Sequence, residues 1–371
     1  MKPVHIVHCI ARLNDGGPAR VLLALGTQLC VRGHRITVLA GTPGPDEPDL
    51  AHRLREAGMV VETVPGLGRR MNPFNDMRAF AWLLARLRQL QPDLVHTHTA
   101  KAGALGRLAS RWLALPCLHT YHGHVLHSYF SHGMSLLVRH VERLLAGPHH
   151  HQGLTVGQVE ELCYRAQIGR PRRWHCLSVP VSAVVRRQAE WHARLLPNVP
   201  VIGFLGRCAA IKDGGLWLET LAAIARQRPV QGVLCGDGDQ RTQLEAQAAH
   251  LGVRVYFTGF IPAAEAFGAM DVLLVTSRSE GQPLVVSEAG WAGVPVVAPP
   301  VGGLIDLIIA GAVQGATRTS TDLAEACIAL LDPKRAEARA RLLARARAHA
   351  ESLTPECLVS RYEACYRAVL H

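Results

Sequence analysis

The chain has 371 residues, 49% of them hydrophobic and 19% charged, which exceeds one ordinary domain, supports a large core and excludes a disordered chain. Its formal charge of +11 is uneven: residues 1–180 hold 21 Lys/Arg against 11 Asp/Glu, a net of +10, whereas residues 181–371 stand at +1. One half therefore suits an anionic surface or partner, while no apolar run reaches the length of a spanning helix.

Apolar runs alternate with helix-length amphipathic stretches. Candidate strands lie near 4–10, 36–40, 60–64, 93–97 and 116–120, then near 201–206, 230–235, 253–258, 271–275 and 294–298. Two such α/β series predict two doubly wound domains, joined near 177–182 and built from right-handed βαβ units. Residues 1–7 read directly as a strand and lack the sections of a signal peptide. The ten cysteines are scattered, none in a Cys-x-x-Cys, as expected of reduced, buried thiols in a cytoplasmic protein. Residues 335–350, rich in Arg and Ala, read as an exposed helix, and 355–370 as a semi-apolar one. The tract His149-His150-His151 falls where a buried strand is expected, so that region reads as irregular.

The first strand runs into Asn14-Asp15-Gly16-Gly17-Pro18. Paired glycines before a helix start let backbone approach a phosphate, although the same pattern serves as a plain tight turn. It is not Gly-x-Gly-x-x-Gly, and no acidic residue ends the second strand, which argues against a nicotinamide or flavin site. Two histidine-rich strand ends follow, Val95-His96-Thr97-His98-Thr99-Ala100-Lys101 and His119-Thr120-Tyr121-His122-Gly123-His124. Zinc ligation, structural histidines and acceptor binding all remain open for them; no Glu-containing partner motif accompanies a zinc reading.

In the second half, Gly206-Arg207 ends a strand and Lys212 stands five residues on. A guanidinium fork and an ammonium point charge there can neutralise a diphosphate without a metal, though solvated surface cations look the same in sequence. Gly236-Asp237-Gly238-Asp239 reads as a strand-to-helix turn, with Asp239 near a helix start, rather than as a metal-binding Asp-x-Asp. Glu280 lies on a loop after the strand Asp271-Val272-Leu273-Leu274-Val275; Pro283 suits a first helical turn, and Glu288 falls about two turns along. In an open parallel sheet, ligands bind at that edge. Two carboxylates flanking helix amides suit a ligand with many hydroxyls and an anionic group; a capped helix with surface carboxylates is the plainer alternative.

Together, the Gly-Gly loop, the histidine-rich strand ends, Gly206-Arg207 with Lys212, the Gly-Asp-Gly loop and the Glu280-x7-Glu288 block resemble glycosyltransferase family 4, in particular members that build bacterial surface polysaccharides. The resemblance is strongest over 200–310 and good over 1–145. It departs from the family pattern near 149–156 and 312–317, and near the domain junction, where Val179-Pro180-Val181 stands. It implies an α/β, GT-B architecture of two Rossmann-like domains facing across a cleft. Residues 1–178 would bind the acceptor, 184–354 the nucleotide-sugar donor, and 355–371 would pack back on the first domain. The implied reaction is retaining hexosyl transfer from a nucleotide-sugar, taken here as UDP-linked, to a glycan or lipid-linked acceptor of cell-surface polysaccharide synthesis. Neither metal nor cofactor is implied.

By the same resemblance, the catalytic residues are His122, Glu280, Arg207 and Lys212. The donor would touch Gly16, Gly17, Arg207, Lys212, Gly236, Phe260, Ile261, Glu280 and the run Gly281, Gln282, Pro283, Leu284, with Glu288 on the ribose. The acceptor would touch Asn14, His98, Lys101, His122 and His124. A hydrolysing nucleotide-sugar 2-epimerase shares the architecture and is the rival reading. A basic nucleic-acid-binding protein is suggested by the pI of about 9.5 but opposed by an aromatic content of 5%. The positive first half further predicts peripheral contact with the anionic inner face of the cell membrane. Arg69-Arg70 and the stretch Arg107-Leu108-Ala109-Ser110-Arg111-Trp112-Leu113 are the candidate contacts, with Trp112 at the headgroup level.

Overall fold

Near-continuous apolar strands, such as those at 201–205 and 231–235, must be covered on both faces, and in the computed structural model these are. The structure describes residues 2–44, 47–68, 72–122, 132–145, 151–168 and 174–371. The chain divides into two units, Met1–Pro180 with Leu353–His371, and Val181–Ser352.

The first unit runs β1 (His5–Ile10), α1 (Gly17–Val31), β2 (Arg35–Ala40), α2 (Ala51–Glu56), β3 (Val60–Thr63), α3 (Pro73–Leu90), β4 (Leu94–His98), α4 (Ala100–Trp112), β5 (Cys117–Tyr121), α5 (His132–Leu145), β6 (His151–Thr155), α6 (Gln158–Ile168) and β7 (Trp174–Cys176). The second continues with β8 (Val201–Leu205), α7 (Gly214–Ala225), β9 (Gln231–Cys235), α8 (Arg241–Leu251), β10 (Val255–Gly259), α9 (Ala263–Ala269), β11 (Val272–Leu274), α10 (Leu284–Ala292), β12 (Val296–Ala298), α11 (Leu304–Ile309), β13 (Gln314–Gly315), α12 (Ser320–Leu331) and α13 (Ala336–Ser352). The last helix, α14 (Pro355–Leu370), belongs to the first unit.

The sheets have the orders β3-β2-β1-β4-β5-β6-β7 and β10-β9-β8-β11-β12-β13, with every pairing parallel. Each order reverses once, between β1 and β4 and between β8 and β11. Those are the switch points where the carboxyl ends of the strands leave a crevice for ligands.

Strand alternation sorts the histidines of the first sheet into two faces. Helix α4 covers one of them: Gly103 abuts the His119 ring, and Gly106 abuts Thr97 and Cys9. His8, His96 and His98 alternate onto the other face, where Tyr366 of α14 hydrogen-bonds His96 Nδ1 at 2.9 Å. Helix α14 is also held on α1 and β2 by Glu363, which pairs with Arg32 at 2.7 Å and His34 at 3.0 Å.

Several expectations need correction. Around the histidine tract the described residues form β6, not irregular chain. Its sequence, His-Gln-Gly-Leu-Thr, shows no apolar alternation, but it pairs with β5 and β7, and Gly153 makes room for the Trp174 ring. The short edge strands β7 and β13 lie below the length at which periodicity can be read. Helix α13 is not wholly exposed: Ala346 and Ala350 are buried, and Gly290 of α10 packs on the Ala346 carbonyl. Asp239 does lie near a helix start as expected, just before α8, although the cap position itself is Gln240. Pro283 stands at the cap of α10 rather than inside it, which leaves Glu288 just over one turn along. Arg107 is not a surface residue; it is 1% exposed and paired with the buried Glu142. Arg111 and Trp112 are exposed, whereas Arg69 and Arg70 lie outside the described residues.

Candidate active site

In the second unit three neighbouring strand ends, those of β8, β9 and β10, are joined beside the switch point. Gly206 N–H donates to the Cys235 carbonyl at 2.9 Å, and Gly236 N–H to that of Gly259 at 2.8 Å. Gly236 has φ +145°, and a Cβ there would sit 1.9 Å from the Gly206 oxygen, so only glycine lets these backbones meet. Arg207 follows directly. It is exposed, and its guanidinium has no partner among the described residues.

Lys212 and Glu280 come together. Lys212 Nζ lies 2.5 Å from Glu280 Oε1, and Ser277 Oγ donates to the same oxygen at 2.5 Å. The two loops that carry them are laced along their length. Thr276 Oγ1 donates to the carbonyls of Lys212 at 3.0 Å and Asp213 at 2.9 Å, and Arg278 N–H donates to Ile211 at 2.8 Å. Asp213 accepts from Arg278 Nε at 3.1 Å and pairs with Arg318. Gly302 supports the loop from below: its φ is +51°, a Cβ would lie 2.0 Å from the Glu280 carbonyl, and Gly303 N–H donates to that carbonyl at 3.0 Å.

Gly281, Gln282, Pro283 and Leu284 lead into α10, which no side chain caps, so its first amides remain for an anion. Glu288 is buried on that helix, at 9% exposure. Phe260, exposed, and Ile261, half-buried, follow β10 at the same edge of the sheet. Sequence reasoning missed Ser277, Thr276, Asp213 with Arg318, and the packing of Gly302 and Gly303. Ser277 stands three residues before Glu280, yet nothing in the order of residues shows its hydroxyl turning onto that carboxylate.

In the first unit, Gly16 occupies the cap position of α1 and Gly17 its first turn, again with no side-chain cap. Asn14 Nδ2 donates to Glu47 at 3.2 Å, and Glu47 also holds Arg12 at 2.9 Å. Lys101 is only 13% exposed and pairs with Asp76. His98 is 1% exposed with both ring nitrogens engaged, so it cannot touch an acceptor directly as expected. His122, half-buried, is the residue His98 touches; His124 lies outside the described residues. Thr99, at φ +63°, is a strained position for a β-branched residue at the same switch point, and its hydroxyl accepts from Ala11 N–H at 3.2 Å.

Burial keeps this histidine group neutral. It pushes His8 down to about 3 and His122 down to about 4, and it holds His96 and His98 well below the usual imidazole range, with neighbouring rings adding to the effect. Because the folded values are lowered, the unfolded chain binds more protons below about pH 6.5, and stability falls as pH drops. At pH 5 we expect a loss of roughly 2 kcal/mol for each of His8 and His122 relative to pH 7.5. Urea midpoints at the two pH values test this; equal midpoints would refute it.

The second sheet thus gathers at one edge strand-end cations, a carboxylate held by a lysine and a serine, and a helix start that no side chain caps. Residues 16–148 match the glycosyl transferase 4-like domain, and residues 199–333 match glycosyl transferases group 1. The chain is 31% identical over 293 residues to a GDP-mannose-dependent alpha-mannosyltransferase of Mycobacterium tuberculosis, covering 74% of this chain and 73% of that one. It is 26% identical over 257 residues to the Escherichia coli UDP-Gal:alpha-D-GlcNAc-diphosphoundecaprenol alpha-1,3-galactosyltransferase, covering 65% and 66%. Its fold matches that of Anabaena Alr3699/HepE in complex with UDP-glucose at TM-score 0.82 and 21% identity, over 98% and 100% of the two chains. The chain belongs to the group 1, family 4-like glycosyltransferases and has their GT-B fold.

Proposed function

We propose that this glycosyltransferase moves a hexose, with retention of configuration, from a nucleotide-sugar to a glycan or lipid-linked acceptor of a cell-surface polysaccharide. The observation that carries the reading is the Lys212–Glu280–Ser277 cluster at the switch point, beside the exposed Arg207 and the open start of α10. Arg207 and the α10 amides receive the diphosphate, and Lys212 stabilises charge on it as the sugar departs. Glu280, preorganised by Lys212 and Ser277, orients the sugar hydroxyls, and Glu288 holds the ribose. Gly16 and Gly17 approach the donor phosphates, Asn14, Lys101 and His122 belong to the acceptor side, and His122 is assigned to the transferring sugar or its acceptor. These cations take the part a metal would otherwise play, so activity should persist in excess chelator. The transfer reactions named for the relatives favour transfer to an acceptor over hydrolysing epimerisation and leave both UDP and GDP donors in play.

A thermal-shift panel of UDP- and GDP-sugars tests donor binding, since a ligand at 100 times its dissociation constant adds about 2.7 kcal/mol. Glu288→Ala should weaken nucleotide affinity, whereas Glu280→Ala should mainly lower kcat. If neither variant changes affinity or rate, the donor lies elsewhere.

Membrane contact by the first unit is supported by the net +10 of residues 1–180 and by Trp112, which is 70% exposed beside the exposed Arg111. Among the described residues no helix is long and apolar enough to cross a membrane. Each well-placed cation adds roughly 1 kcal/mol at an anionic leaflet. The protein should co-sediment with anionic vesicles at low salt and be released at high salt. Equal partition to neutral vesicles, or none at low salt, would count against it.

A further inference from the structure

Three imidazoles form a hydrogen-bonded chain in the first unit. His8 Nδ1 lies 2.9 Å from His98 Nε2, and His98 Nδ1 lies 2.9 Å from His122 Nε2. Desolvation keeps all three neutral, as described above. A neutral imidazole carries one N–H and one lone pair. His98 stands in the middle, so its single proton permits only two arrangements. In one, His8 donates to His98 and His98 donates to His122. In the other, every bond runs the opposite way.

The far end of the chain decides between them. His8 is wholly buried, and its Nε2 has no partner among the described residues. In the first arrangement that atom is an unused lone pair; in the second it is a stranded N–H. Orphaned buried donors are rarer in proteins than under-used acceptors. The first arrangement therefore holds, and it places a lone pair on His122 Nε2 and the proton on Nδ1.

We infer that His8 and His98 lock His122 in its Nδ1–H tautomer, so that His122 offers its ligand a hydrogen-bond donor and does not act as the base. This rests on the assignment of His122 to the sugar or acceptor given under Proposed function. His8 and His98 are positioning residues: neither is exposed, and each acts through the next ring.

Metal ligation is the competing use of these rings, because ring nitrogens of His8, His96 and His98 lie within 4.8 Å of one another. His96, however, already bonds the Tyr366 hydroxyl at 2.9 Å and Thr120 Oγ1 at 2.7 Å, and both His98 nitrogens are in the chain. A metal would have to break bonds at both rings.

The test is a long-range proton–nitrogen spectrum of the full chain labelled with 15N-histidine at pH 7.5, with His122 assigned by its disappearance in His122→Ala. Wild type should show His122 protonated on Nδ1. His98→Leu should release it to a mixture of tautomers and lower kcat roughly tenfold, the counterpart of about 1.4 kcal/mol, with little change in KM. His98→Gln, whose amide can accept from His8 and donate to His122, should restore both. A proton on Nε2 in wild type, or an unaltered tautomer in His98→Leu, overturns the inference. So does one equivalent of bound zinc that is lost in His96→Gln. The wild-type spectrum, with His122→Ala for its assignment, decides the matter even if the His98 variants do not fold. Unimpaired transfer by His122→Ala would instead remove the assignment of His122 while leaving the tautomer standing.

Discussion

Lys212→Ala should lower kcat/KM by about 2–4 kcal/mol of transition-state stabilisation, the loss typical of one charge-stabilising group. It should be the more damaging of the two cation deletions. Arg207 has no partner among the described residues, so Arg207→Ala removes one charge and strands nothing there. Lys212 sits 2.5 Å from Glu280, and its loss leaves that carboxylate uncompensated beside a diphosphate dianion. The double variant Lys212→Ala/Glu280→Gln should therefore lose less than the sum of the single changes, because the two residues share one interaction. Steady-state kinetics over the four members of the cycle measure the coupling. Strict additivity would mean that Lys212 and Glu280 act independently during turnover. Loss of activity in chelator, restored by Mg²⁺ or Mn²⁺, would overturn the metal-free account of the diphosphate.

Arg107→Ala should destabilise the protein by about 3–5 kcal/mol, the cost of stranding a buried charge. The guanidinium donates to both oxygens of Glu142, at 2.8 and 2.6 Å, to the Gly103 carbonyl at 3.0 Å and to the Tyr121 hydroxyl at 3.2 Å. Tyr121 in turn donates to Glu142 at 2.8 Å, so one ion pair ties α4, β5 and α5 together. Removing the arginine leaves a carboxylate that is 3% exposed without its counter-charge. Arg111→Ala, one turn along the same helix but exposed, should stay within about 0.5 kcal/mol. Urea denaturation of both variants measures the difference. A loss below about 1 kcal/mol for Arg107→Ala would mean that the pocket admits water to the carboxylate.

These two residues mark how far the amino-acid order alone reaches. Ten of the strands, the two α/β series and the helical tail were legible in it, because local periodicity and chain punctuation determine whether a segment can bury one face or two. The motif residues Arg207, Lys212 and Glu280 were legible as well, since strand ends in a parallel sheet converge on one edge whatever the side chains between them. Side-chain partnerships were not legible, for they are set by register and by helices far away in sequence. Arg107 reads as one more surface arginine in an amphipathic helix until α5 brings Glu142 against it. His98 reads as an available strand-end ligand until sheet alternation turns it inward between His8 and His122. Lys212 and Glu280 were assigned to different parts of a ligand, and only the meeting of the β8 and β11 loops makes them a pair. Sequence by itself determined the class of fold and the sheet edges at which the strand-end motifs gather; the tertiary structure decided which charges are spent on one another, because desolvation and distance act through space and not along the chain.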